Sequence, residues 1–88
     1  MVERHVLIPA APACRSSYKG FAITARTFQL RGSDRWTLDL LISRHGGLRA
    51  FSRPVTYATE AAAILGCFRF AERIIDGQVR DCWVDDLT

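Results

Sequence analysis

Two histidines (His5, His45), three cysteines (Cys14, Cys67, Cys82) and the adjacent acids Asp85 and Asp86 are the side chains here that could bind a metal or act as nucleophile or base. Their spacing favours none of these roles. A structural metal site needs close pairs such as Cys-x-x-Cys, so that one loop presents two ligands. No two of these cysteines and histidines stand that close. Asp85 and Asp86 are neighbours, which point to opposite sides of an extended chain and do not form paired carboxylates. There is no Gly-x-Ser-x-Gly elbow, no phosphate-cradling glycine loop and no Cys–His arrangement with an orienting group. The sequence therefore predicts no catalytic residue, no metal ligand and no cofactor. It reads as a non-enzyme.

Arginine is the remaining chemistry. Eleven of the twelve basic residues are arginines, and they are unevenly placed. Positions 1–58 hold nine basic residues against three acids, and positions 59–88 hold three against six. A basic front and an acidic rear suit either a polyanion-binding face or surfaces that attract one another. Arg26, Arg31, Arg35, Arg44, Arg49 and Arg53 are the candidates for contacting nucleic-acid phosphates. The competing assignment is a solvated sheet with cross-strand pairs, such as Arg35 or Arg49 with Asp39.

At 88 residues, 49% hydrophobic and 24% charged, the composition is that of one small globular domain. No apolar run approaches the ~18 residues that would span a bilayer. The stretch "HVLIPAAPAC" is broken by Pro9 and Pro12 and is too short for a secretory signal core. Residues 1–17 are read as an N-terminal arm of a cytoplasmic protein, and 18–88 as a single α+β domain. An odd number of cysteines without regular spacing predicts reduced thiols, with Cys67 acting as a small hydrophobe.

The elements that must position these residues follow from hydrophobic periodicity. "YKGFAITARTFQL" (18–30) has the aromatic and β-branched composition of a strand. "RGSD" (31–34) is turn chemistry. In "RWTLDLLISR", Trp36, Leu38, Leu40 and Ile42 alternate with Arg35, Thr37, Asp39, Leu41 and Ser43, which predicts a half-buried central strand. "HGG" (45–47) supplies a second turn, and "LRAFSRPVTY" a third strand that Pro54 confines to an edge or interrupts. That strand places Arg49 and Arg53 on the side of Phe51, a conflict that a bulge near Pro54 would relieve.

Thr59 is a fitting N-cap, Glu60 suits the first helical turn, and Gly77 is a natural stop, so a helix is predicted to Asp76. Its apolar residues form two stripes. Ala61, Ile64, Leu65, Phe68, Ala71 and Ile75 are expected to pack on the sheet. Ala63, Cys67, Phe70 and Ile74 flank them and need another cover. The chain offers two covers, the arm "VERHVLIPA" and the tail; the tail carries Val79, Trp83 and Leu87 at four-residue spacing, so Trp83 is expected to be buried, with Asp85 and Asp86 in water.

The pattern Tyr18, Gly20, Phe21, Ile23, Trp36, Glu60 to Ala62 and Ile75 to Gly77 resembles a set of short, uncharacterised bacterial proteins. That resemblance implies a shared fold and no activity. The order of elements is also similar to the three-stranded DNA-binding domains of plant Apetala-type factors and some integrase arms. In those, the open sheet face enters the major groove with arginines and tryptophans. Here strand one offers Ala22 and Thr24 before Arg26, and Asp39 and Leu41 share the face with Arg35. An acid facing phosphates is unfavourable.

The predicted architecture is a three-stranded antiparallel meander with one long C-terminal helix on one face (β-β-β-α), an N-terminal arm and a short tail. Its expected core is Trp36, Leu38, Leu40, Ile42, Ile64, Leu65, Phe68 and Ile75. The predicted function is a protein-interaction or self-associating module with a protein partner or a second copy. Cys67, Phe70, Ile74 and Trp83 are its expected surface. Nucleic-acid binding through the six arginines is the alternative. Neither membrane nor metal is expected.

Overall fold

Two residues with positive φ set up each of two tight hairpins. Lys19 (φ 52°) and Gly20 (φ 86°) join β1 (Cys14–Tyr18) to β2 (Phe21–Gln29). His45 (φ 54°) and Gly46 (φ 84°) join β3 (Trp36–Arg44) to β4 (Gly47–Phe51). Two left-handed residues in succession match the twist of the flanking strands, and glycine takes the second position without steric cost. The computed structural model describes residues 13–53, 55–84 and 87. It is an α+β fold: an antiparallel sheet of order β1-β2-β3-β4, followed by one helix, α1 (Glu60–Ile75).

The sheet therefore has four strands, not three. The stretch from Tyr18 to Leu30 is not one strand but the end of β1, a turn and β2. Part of the expected arm, from Cys14 onward, is strand. "CRSSY" has weak strand composition, and its pairing with β2, from Cys14 opposite Ala25 to Tyr18 opposite Phe21, makes it a strand. Residues 1–12 lie outside the described residues.

The third expected strand is shorter than the sequence suggested. Leu40 pairs with Phe51, whereas Trp36 bridges Tyr57, so the register slips by two residues between Phe51 and Tyr57; Pro54 itself lies outside the described residues. Interruption in this region is the expected behaviour of a strand containing proline. Reciprocal bonds of 2.8 Å between Trp36 and Tyr57 re-establish the pairing.

One face of the sheet carries the core. Phe21, Ile23 and Ala25 of β2 and Leu38, Leu40 and Ile42 of β3 are buried beneath α1. The Thr59 hydroxyl caps α1 by accepting from the Ala62 amide at 3.0 Å. At the far end, Gln78 N–H donates to the Arg73 carbonyl at 2.8 Å and Gly77 N–H to that of Ile74 at 3.0 Å. Gly77 at φ 74° makes this six-to-one and five-to-two closure sterically free. Two ties fix the helix along the strands. Buried Thr27 donates to Glu60 at 2.9 Å, and Tyr18 and Lys19 reach Asp76 at the other end.

The helix is rotated relative to expectation. Ala63, Cys67, Phe70, Ala71 and Ile74 face the sheet, while Leu65 is 52% exposed and Ile64, Phe68 and Ile75 are half-buried along one flank. Small residues decide this phase. Ala63, Cys67 and Ala71 let the helix approach the sheet closely, and the larger residues fill the space beside it. Of the expected core, Trp36, Ile64, Phe68 and Ile75 are only partly buried and Leu65 is solvent-facing.

The tail closes the core with Leu87 and, partly buried, Val79, as expected, but with Val84 in place of Trp83. Val84 is 2% exposed and Leu87 is also buried, whereas Trp83 is 53% exposed. A Cβ on Gly47 would lie 2.9 Å from Leu87 Cδ2, so the tail passes over the start of β4. Three-residue turns, with Cys82 N–H donating to Val79 and Leu87 N–H to Val84, replace the helix-like four-residue spacing. Asp85 and Asp86 lie outside the described residues.

Candidate interaction surface

Among the described residues, no helix packs on the outer face of the sheet. Strand alternation sends Ala22, Thr24 and Arg26 of β2, and Asp39, Leu41 and Ser43 of β3, away from the core. Ser17 and Arg15 extend this face onto β1, and Leu48 and Ala50 onto β4. Register places these side chains in rows. Ser17, Ala22, Ser43 and Leu48 form one, and Arg15, Thr24, Leu41 and Ala50 the next. Arg26 stands opposite Asp39 in the third row. Phe28 opposite Thr37 ends the face, with the Arg26 guanidinium 5.6 Å from the Phe28 ring centre. Arg26, Asp39, Leu41, Ala50 and Ser52 line a shallow depression here, bounded by Phe51.

This face is notable for what its side chains are. Ala22, Arg26, Asp39, Ala50 and Leu48 meet solvent, Leu48 at 62%. The solvated face of an antiparallel sheet ordinarily carries a polar, charged set. Between Arg15 and the Arg26/Asp39 pair, this one is small and neutral. The sequence contained the signal in the second phase of β2 and β3, where alanine, threonine, leucine and serine alternate with the core residues.

The residues expected to form an interaction surface stand elsewhere. Cys67, Phe70 and Ile74 are buried core residues, so the folded chain does not present them; only Trp83 of that set meets solvent. The helix seats them inward because the sheet, not a partner, covers their stripe. Burial pushes the Cys67 thiol up to about 12, with the Asp39 carboxylate adding to the effect. A thiol so held is not a nucleophile at neutral pH. Cys14 and Cys82 are also free thiols.

The six arginines do not share a face. Arg26 lies on the outer side. Arg31 falls in the β2–β3 connection, and Arg35 beside it is tied to Thr56 by bonds of 2.9 Å to the hydroxyl and 3.0 Å to the carbonyl. Arg44 stacks 4.7 Å from the centre of the Phe21 ring, and Arg53 4.5 Å from that of Phe70. Arg49 is opposite Ile42, on the core side. Arg53 over Phe70 resolves the conflict seen in the sequence: a cation follows Phe51 on the inner face because an aromatic ring receives it. Asp39 is opposite Arg26 rather than Arg35 or Arg49.

At the helix C-terminus, Lys19 Nζ donates to Asp76 at 2.6 Å and the Tyr18 hydroxyl donates to its other oxygen at 2.8 Å. These bonds, Lys19's first, hold the Asp76 carboxyl below its ordinary range. The same contacts raise Lys19 and Tyr18. The cluster is a structural clasp between the first hairpin and the helix.

Among the described residues, no three His, Cys, Asp or Glu side chains stand close enough to hold a metal ion, and no helix is long and apolar enough to cross a membrane. His45 sits in the β3–β4 turn, and His5 lies outside the described residues. Comparison with protein-family models, with curated proteins and with solved structures gives no match.

Proposed function

We propose that this chain is a non-enzymatic protein-interaction module whose working surface is the outer face of its sheet. One observation carries the reading: a four-stranded sheet has one face closed by a helix and the other paved by Ala22, Thr24, Leu41, Ser43, Leu48 and Ala50, over which no helix or strand packs among the described residues. Small neutral side chains lose little conformational freedom and little hydration when covered. A docked layer would seat about 10 Å from the sheet, as in any sheet-on-sheet packing. The division of the arginines between two faces argues against a continuous phosphate-binding surface.

A photoreactive side chain at position 50, on the outer face, tests this in the native cell against the same group at Arg73, which is exposed on the helix. The expected result is a discrete protein adduct from position 50 and none from position 73. No discrete adduct at position 50, or equal adducts from both, overturns the reading.

A further inference from the structure

From the rows of the outer face we infer its occupant: a second copy of the chain, related by a two-fold axis that runs parallel to the strands between β2 and β3. This inference rests on the interaction reading above and names the partner. A two-fold axis lying in the plane between two facing sheets exchanges left and right within each row. It sets β2 of one copy over β3 of the other, and β1 over β4.

Charge is the first argument. Arg26 and Asp39 are cross-strand neighbours, exposed, and lie on either side of this axis. The operation places Arg26 over Asp39 of the second copy and Asp39 over its Arg26. The face is self-complementary, and two opposite pairs form from one. A two-fold axis perpendicular to the strands through the Arg26/Asp39 row would instead stack Arg26 on Arg26 and Asp39 on Asp39, which is strongly unfavourable across an interface.

Size is the second argument. In the row of Arg15, Thr24, Leu41 and Ala50, reversal sets Leu41 over Thr24 of the second copy and the Arg15 stem over its Ala50. In the row of Ser17, Ala22, Ser43 and Leu48, each leucine meets a serine of β1 and each alanine a serine of β3. Each leucine therefore faces a smaller side chain, which lets two sheets interdigitate at close spacing. The long basic stem lies on a methyl group with its head free to reach water.

The face is small, four short strands wide, so it covers less than the ~800 Å² per partner of a standard interface. The dimer is accordingly weak and concentration-dependent, forming in the micromolar range or above.

Sedimentation of the full chain across a wide concentration range tests the inference. The wild type is expected to pass reversibly from monomer to dimer. Arg26→Asp and Asp39→Arg should each weaken self-association by about tenfold or more, since each face then carries like charges. An equimolar mixture of the two variants should regain dimer, because the acidic face of one meets the basic face of the other. The double exchange in one chain should also regain it. Both positions are exposed, and thermal melts confirm that each variant is folded. A wild type that stays monomeric at every concentration overturns the inference, as does a mixture no stronger than its components. If position 50 still captures a discrete different protein, the second-copy inference fails while the interaction reading stands.

Discussion

The Tyr57 ring occupies the space that a side chain at Gly66 would need: a Cβ there would lie 2.5 Å from the Tyr57 hydroxyl oxygen and 2.7 Å from Cε1 and Cζ. Gly66 is a poor helix former in the middle of α1, at a cost of about 1 kcal/mol against alanine. Its presence follows from the Trp36–Tyr57 bridge, which fixes Tyr57 against the helix. Gly66→Ala should therefore destabilise by about 1–3 kcal/mol, because the ring has to move. In a Tyr57→Ala background the same substitution should stabilise. A double-mutant cycle in urea measures this reversal, and additive effects would show the contact to be irrelevant.

Asp76 links stability to acid. Its folded carboxyl lies below its unfolded value because Lys19 and Tyr18 donate to it. The stability it contributes is present above the unfolded value, near pH 4, and is lost as pH falls through the folded one. Asp76→Asn should lower the melting temperature at pH 7 and flatten the profile in the acid range. An unchanged acid limb would place that dependence on other carboxylates. The raised Lys19 and Tyr18 act in the opposite direction: their contribution is full below their unfolded values, near pH 10, and is lost as pH rises through the folded ones.

The tail should divide sharply by residue. Val84→Ala removes a buried side chain from the core and should cost about 1–3 kcal/mol. Trp83→Ala, though the larger truncation, should stay within about 0.5 kcal/mol, because the indole is mostly in solvent. Chemical denaturation of the two variants decides it; equal losses would mean that Trp83 packs against the core.

Cys67 should report global unfolding. At pH 8, Cys14 and Cys82 should react with a maleimide well before Cys67, which is buried and whose thiol is pushed up to about 12. Mass spectrometry of the partly labelled chain gives the order. Rapid labelling of Cys67 in the native state would reveal local opening between α1 and the sheet.

Duplex DNA provides the test of the arginine assignment. With Arg26 on one face and Arg53 on the other, no binding with a steep salt dependence is expected. A salt slope that falls by about one on removing either arginine alone would instead place both on phosphates and restore that assignment.

Local chemistry determined much of this molecule in advance. The run from Trp36 to Ile42 alternates so strictly that its buried face is legible without a fold, and Leu38, Leu40 and Ile42 are buried as expected. Thr59 and Gly77 mark the helix because capping is an interaction among near neighbours in sequence. Pro54 announced an interrupted strand because it lacks the donor a ladder requires. What the sequence left open was decided by contacts between distant residues. β1 is a strand only because β2 pairs with it. By period the stripe of Ile64, Leu65, Phe68 and Ile75 was expected to face the sheet; the close approach allowed by Ala63, Cys67 and Ala71 turned the other one inward. Val84, rather than Trp83, fills the core because the tail turns in short steps that no four-residue period describes. The neutral outer face emerged in the same way. Its residues look unremarkable one by one, and only the register of four strands brings Ala22, Leu41, Leu48 and Ala50 into one neutral surface with Arg26 set beside Asp39.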